Sequence, residues 1–100
     1  MLRFAWDLAK ARANLRKHGV AFEEAIHVFY DPDALFDQDR SVEGERRWQA
    51  IGLSGGCVLL LVAHTVREVR KDEVIRIISA RRAERKEWQR YGENRSQDID

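Results

Sequence analysis

The period of apolar positions changes along the chain and marks out its elements. Leu8, Ala11 and Leu15 recur at helical spacing, Asp7 is a good N-cap, and Gly19 suits the position after a helix end. A first helix from Leu8 to about His18 is predicted. Phe22, Ala25, Ile26 and Phe29 follow i, i+3, i+4, i+7 spacing, with Glu23 and Glu24 at the positive end of the helix dipole. This second helix stops before Pro32, which pushes Asp31 toward extended geometry. Only a few residues separate the two, so they form a helical hairpin.

From Ala34 the pattern shortens to extended runs between turn residues. The predicted strands are Ala34 to Asp39, Arg46 to Leu53, Val58 to Val66 and Val74 to Ala80. Ser54, Gly55 and Gly56 make a hairpin turn, because glycine tolerates positive φ. Arg67 to Asp72, which lacks glycine, reads as a longer charged loop. A last helix is predicted from Arg82 to Tyr91, with Ala83, Glu87 and Tyr91 on one stripe. Arg3 to Trp6 is a short extended lead-in. The predicted fold is α+β: two N-terminal helices, a four-stranded mainly antiparallel sheet and a C-terminal helix, with the helices on one face. A single domain over residues 1–92 is expected, with a polar tail at 93–100.

Composition narrows the functional classes. A chain of 100 residues, 44% hydrophobic and 35% charged, fits one globular unit with one core. Cys57 is its only cysteine, which argues against a disulfide framework or a paired-cysteine metal site and fits a reducing cytoplasm. Cys57 itself reads as a small buried hydrophobe, and Trp6, Trp48 and Trp88 read as packing residues. The start MLRFAWDLAK has no signal-peptide pattern, and the apolar run Cys57 to Ala63 is too short to span a bilayer. A protein neither exported nor membrane-bound is expected.

The net charge of +1 conceals alternating blocks. Residues 1–20 carry five basic groups against Asp7, residues 21–45 carry eight acidic groups against Arg40, and residues 66–90 are again basic. A face built from the first and last blocks would attract phosphates.

Phosphate-loop, dinucleotide and zinc-protease motifs are missing from the sequence, no serine stands in a nucleophile elbow, and His18, His27 and His64 fall on separate predicted elements. No metal or cofactor is expected. What stands out is Val74-Ile75-Arg76-Ile77-Ile78-Ser79-Ala80-Arg81, where arginine interrupts a β-branched run. Strict alternation puts Arg76 with Ile78 and Ala80 on one face, and Ser79 with Arg81 on the other. Arg81 can bend around the strand end, and antiparallel pairing can bring His64 and Arg47 close, making a basic cluster. Two readings remain open for Arg76 and Arg47: partly buried ion pairs with Glu45, Glu73 or Glu87, or a functional cluster with the others. A functional cluster suits metal-free cleavage of RNA, with arginines holding the phosphoryl charge and His64 or Glu45 as base.

The sequence also resembles a known family. Phe4-Ala5-Trp6-Asp7, Lys10, Asn14, Lys17-His18-Gly19, Phe22-Glu23-Glu24-Ala25, Phe29, Asp31-Pro32, Ile51-Gly52, His64-Thr65 and Ile75-Arg76-Ile77-Ile78-Ser79-Ala80-Arg81 are similar to the successive signatures of BrnT toxins. The match runs to about Tyr91. The resemblance implies a RelE-like fold and an endoribonuclease that arrests growth by inhibiting translation. It also implies neutralisation by a BrnA-type ribbon-helix-helix antitoxin, through which the complex reaches promoter DNA. His64, Arg76 and Arg81 carry over as motif positions, with Arg47 and Glu45 added by geometry. Lys17, His18, Arg46, Arg67, Arg70 and Lys71 are the expected contacts to RNA, free or on the ribosome. The residues alone leave two alternatives: a non-catalytic RNA- or ribosome-binding module, and an interaction protein docking a DNA-binding partner.

Overall fold

A computed structural model describes residues 1–97. Strand β1 (Leu2–Ala5) leads into helix α1 (Leu8–His18), then the short helix α2 (Phe22–Ala25), which tightens into a 3-10 turn over Ile26–Tyr30. Strands β2 (Leu35–Val42), β3 (Glu45–Ser54), β4 (Val58–Val69) and β5 (Asp72–Arg82) follow, and helix α3 (Arg85–Gln97) ends the described chain. One five-stranded sheet runs in the order β1-β5-β4-β3-β2. The last four strands pair antiparallel, while β1 pairs parallel to β5 at its edge.

The architecture corrects the predicted RelE-like four-stranded layer in three ways. The lead-in is a strand, held because Leu2 and Phe4 alternate inward beside Glu73 and Ile75. The second helix splits after Ala25, and its tighter continuation lowers Val28 onto β3 at Gly52, where a Cβ would lie 2.9 Å from Val28 Cγ1. The helices take both faces of the sheet. α1, α2 and the 3-10 turn cover Ala50, Leu60, Val62, Ile75, Ile77 and Ala80, whereas α3 covers Ile51 and Leu59 through Tyr91. The two faces are called here the α1 face and the α3 face.

Local chemistry explains most element ends. The Asp7 carboxylate accepts from Ala9 N–H and Lys10 N–H, and Gly19 ends α1 in the left-handed region. The expected loop from Arg67 to Asp72 is instead a continuation of β4 and β5 around a two-residue turn, Arg70-Lys71, with φ of 50° and 73°. Both central residues therefore take the positive φ that such hairpin turns demand, without glycine. Residues 93–97, predicted as tail, continue α3, and 98–100 lie outside the described residues. Cys57, predicted buried, is exposed in the Ser54–Val58 turn. Trp6 does pack edge-on against Phe22, but Trp88 is half exposed on α3.

Two polar anchors, one buried and one half-buried, join the layers. Asn14 of α1 donates to Ala80 C=O and Val20 C=O and accepts from Ala80 N–H, completing the backbone of the β5 edge where β1 no longer reaches. On the other face, Asp31 accepts from Leu53 N–H, from Asp33 N–H and, at 2.6 Å, from Tyr91 O–H, which ties α3 to the sheet.

Candidate active site

A β-bulge decides which side chains of β5 share a face. Ala63 pairs with Ser79 but His64 pairs with Ile77, so β5 carries one extra residue, Ile78, opposite the Ala63–His64 step. Alternation resets there. Ile75, Ile77 and Ala80 point to the α1 face, and Arg76, Ser79 and Arg81 point together to the α3 face. The predicted split of Arg76 from Ser79 and Arg81 is thereby corrected.

Neighbouring strands complete this surface. Thr65 pairs with Arg76, and on β3 Gln49, Arg47 and Glu45 alternate with the Ile51 position onto the same face. Helix α3 covers only the Ile51–Leu59 end, so among the described residues no helix lies over the half holding Arg47, Thr65, Arg76 and Ser79. Thr65 is nevertheless buried, Arg76 is exposed, and Arg47 is half-buried with its Nε lacking any hydrogen-bond partner. Among the described residues neither Arg47 nor Arg76 takes part in an ion pair. Of the structural ion pairs expected for Arg76 and Arg47 with Glu45, Glu73 or Glu87, none forms among the described residues, and Glu87 pairs with Arg81 instead.

Arg81 is oriented at the margin of α3. Its guanidinium donates to Glu87 at 2.9 Å and lies 3.6 Å from Glu84. Glu87 is buried and also accepts from Glu84 N–H, capping the first turn of α3. Burial works to raise the Glu87 pKa, but the Arg81 hydrogen bond and the Glu84 N–H outweigh it and hold the carboxyl below its ordinary range. Sequence spacing had placed Glu87 on a packing stripe, and nothing in that spacing identified Arg81 as its partner.

His64 is not brought to the arginines. It faces the α1 side, buried, with its ring edge-on to Phe29 at 4.7 Å and Nδ1 3.2 Å from Val62 C=O. Burial lowers its pKa below that of a free imidazole, only partly offset by the Val62 carbonyl. The sheet thickness separates it from Arg76 and Arg81 because Thr65, not His64, is the β4 residue on their face. Thr65 and Ser79 are polar groups on the arginine face to which sequence pattern alone assigned no chemical role, although Ser79 was expected beside Arg81.

The expected RNA contacts also divide. Arg67 alternates with Thr65 onto the arginine face, and Arg70 and Lys71 form the exposed turn at its end. Lys17 and His18 line a shallow cleft of about 300 Å³ with Lys10, Ile78 and Ser79, at the bulged edge of β5. Arg46 alternates with Trp48 onto the opposite face.

Comparisons with known proteins agree with this architecture. Residues 6–87 match the family profile described as the ribonuclease toxin BrnT of type II toxin–antitoxin systems. Among solved structures, the 1.1 Å crystal structure of the Brucella abortus ribonuclease toxin BrnT superposes with a TM-score of 0.61 at 23% identity, covering 85% of this chain and 100% of that one. The search of curated proteins gave no match. The profile spans the capped α1, the bulged β5 and the Arg81–Glu87 pair, and with that coverage the chain belongs to the BrnT family of ribonuclease toxins from type II toxin–antitoxin systems.

Proposed function

We propose that this protein is a metal-independent endoribonuclease whose active surface is the arginine-bearing half of the α3 face, with Arg76, Arg47 and Arg81 as its phosphate-binding groups. The observation that carries this reading is the bulge at Ile78, which puts Arg76, Ser79 and Arg81 on one face with Arg47, while Arg47 and Arg76 lack anionic partners among the described residues. A guanidinium left without a carboxylate can take a phosphate with paired hydrogen bonds. The RNA 2′-oxygen attacks its own phosphorus, the P–O5′ bond breaks, and a 2′,3′-cyclic phosphate and a 5′-hydroxyl result. Arginines offset the charge that grows on the phosphoryl oxygens. Glu45, on the same face, is the proposed base for the 2′-hydroxyl proton, and water returns a proton to the 5′-oxygen. His64, on the other face, is assigned a packing role instead.

The strand runs toward Arg67, Arg70 and Lys71 at one end and toward the Lys17–His18 cleft at the other. Cleavage of cytoplasmic RNA, free or ribosome-bound, would stop translation and growth. A BrnA-type ribbon-helix-helix antitoxin is the proposed partner, and it would carry the complex to promoter DNA. The test is to incubate the antitoxin-free protein with RNA, with and without chelator, and to identify the fragment ends. Cyclic phosphate ends that persist in chelator, reduced about 100-fold or more in Arg76→Ala and little changed in His64→Phe, are expected. Cleavage that survives Arg76→Ala but fails in a folded His64→Phe would overturn the assignment of faces.

A further inference from the structure

The α1 face is only half covered. Beyond the 3-10 turn, an apolar groove of about 330 Å³ crosses all five strands, floored by Leu2, Ile75, Val66, His64, Trp48 and Phe36, with Phe29 as its wall. Phe36 is 47% exposed and Val66 39%, although they pair across the sheet with the buried residues Ala50 and Ile75. Such an apolar stretch across a sheet marks a partner site rather than incidental exposure. Four strand spacings make it roughly 19 Å long, the length of about 13 residues of α-helix. It lies beside α2 and the 3-10 turn, where one more helix would complete that layer.

Charge at the rim distinguishes the occupants. Glu68 and Glu73 are direct cross-strand partners, and Glu73 lines the groove. Like charges directly opposed on one face are unfavourable, and neither carboxylate has an ion-pair partner among the described residues. Nucleic acid is repelled there, whereas a lysine or arginine set between the two carboxylates would relieve the repulsion. Arg46, on the same face two residues before Trp48, gives the β3 side the opposite sign. The rim is thus polarised from β5 to β3.

We infer that this groove is the docking site for the antitoxin, which lays an amphipathic helix across the sheet. Its apolar residues cover Val66, Trp48 and Phe36, a basic residue meets Glu68 and Glu73, and an acidic residue meets Arg46. The inference rests on membership of a toxin–antitoxin family, but not on where or whether RNA is cut. The groove and the arginine surface lie on opposite faces, so the antitoxin need not touch the arginines to bind.

The test uses the antitoxin encoded with this toxin, purified and titrated onto the free toxin by calorimetry. Val66→Glu and the pair Glu68→Lys with Glu73→Lys are expected each to weaken binding by roughly 30-fold or more, as loss of a central contact does. Glu68→Gln with Glu73→Gln should weaken it less and flatten its salt dependence. Thermal melts and cleavage of RNA by the same free variants should match the wild type. Antitoxin affinity within about twofold of wild type in folded Val66→Glu and in the double lysine variant would overturn the proposal. A wild-type dimer in sedimentation that Val66→Glu dissociates would overturn it too, since a second copy would then be the occupant. An inactive wild-type protein that still loses antitoxin binding in these variants would refute the ribonuclease surface and leave the docking site standing.

Discussion

Replacing Tyr91 by phenylalanine removes one hydroxyl from an otherwise unchanged side chain, and that hydroxyl holds α3 to the sheet. Tyr91 is 2% exposed and packs with Ile51 and Leu59, while its O–H donates to Asp31 at 2.6 Å. Asp31 also accepts from Leu53 N–H and Asp33 N–H, so the carboxylate bridges the Pro32 turn, β3 and α3. The ring packing survives the substitution, so the loss is that of one hydrogen bond to a charged acceptor, about 1.5 kcal/mol. For a domain of this size, that corresponds to a fall in melting temperature of about 6 to 12 °C. The pH dependence is the sharper test. Burial works to raise the Asp31 pKa, but the hydrogen bonds from Leu53, Tyr91 and Asp33 outweigh it and leave the carboxyl below its ordinary value. A depressed carboxylate stabilises the fold above its unfolded pKa, and that contribution disappears as pH falls through the folded value. The deficit of Tyr91→Phe should therefore be full near neutrality and shrink in acid below the lowered Asp31 pKa, where the carboxylate takes up its proton. Circular dichroism melts at the two pH values measure it, and a cycle with Asp31→Asn isolates the pair. Equal deficits at both pH values, or a neutral-pH deficit below about 0.5 kcal/mol, would refute the anchoring role.

Other contacts give further expectations. Asn14→Ala strips both backbone groups of Ala80 and the Val20 carbonyl of their partner, and chemical denaturation should show a loss of about 2–4 kcal/mol. Gly52→Ala would set a Cβ 2.9 Å from Val28 Cγ1 and 3.2 Å from the Val28 carbonyl, for a cost of about 1–3 kcal/mol in the same assay. Arg70→Asn with Lys71→Gly relieves two positive-φ residues and should stabilise the hairpin by about 1 kcal/mol or more. If the turn contacts RNA phosphates, that pair should also lower the slope of affinity against salt by about 1.4, measured by anisotropy on a 2′-deoxy oligonucleotide; an unchanged slope removes the turn from the RNA path.

Much of this protein was legible in its sequence because the relevant physics is local. Asp7 and Gly19 bracket α1 through groups within a few residues of themselves, and the bracket holds. The antiparallel meander from β2 to β5 follows from short-period apolar runs and tight turns, with boundaries within a few residues of those predicted. The stripe of Glu87 and Tyr91 on α3 is likewise a property of helical spacing, and both residues are buried. Lone Cys57 was misplaced because residue type says little about a position that a turn decides.

What the sequence could not determine depended on pairing across the fold. Strict alternation assigns every residue of β5 a face, but one extra residue at Ile78, set by how β4 and β5 pair, reverses the assignment and unites Arg76 with Ser79 and Arg81. The same pairing turns His64 to the opposite side among Phe29 and Phe36, although it stands next to Thr65 in the chain. A strand as short as β1 has too few residues to announce itself and exists because the β5 edge accepts it. Side-chain periodicity is a property of one segment, whereas a bulge, an edge and the face a helix covers are properties of two segments in register. The sequence by itself thus determined the elements and the residues capable of chemistry, and the tertiary structure alone decided which of them share a surface.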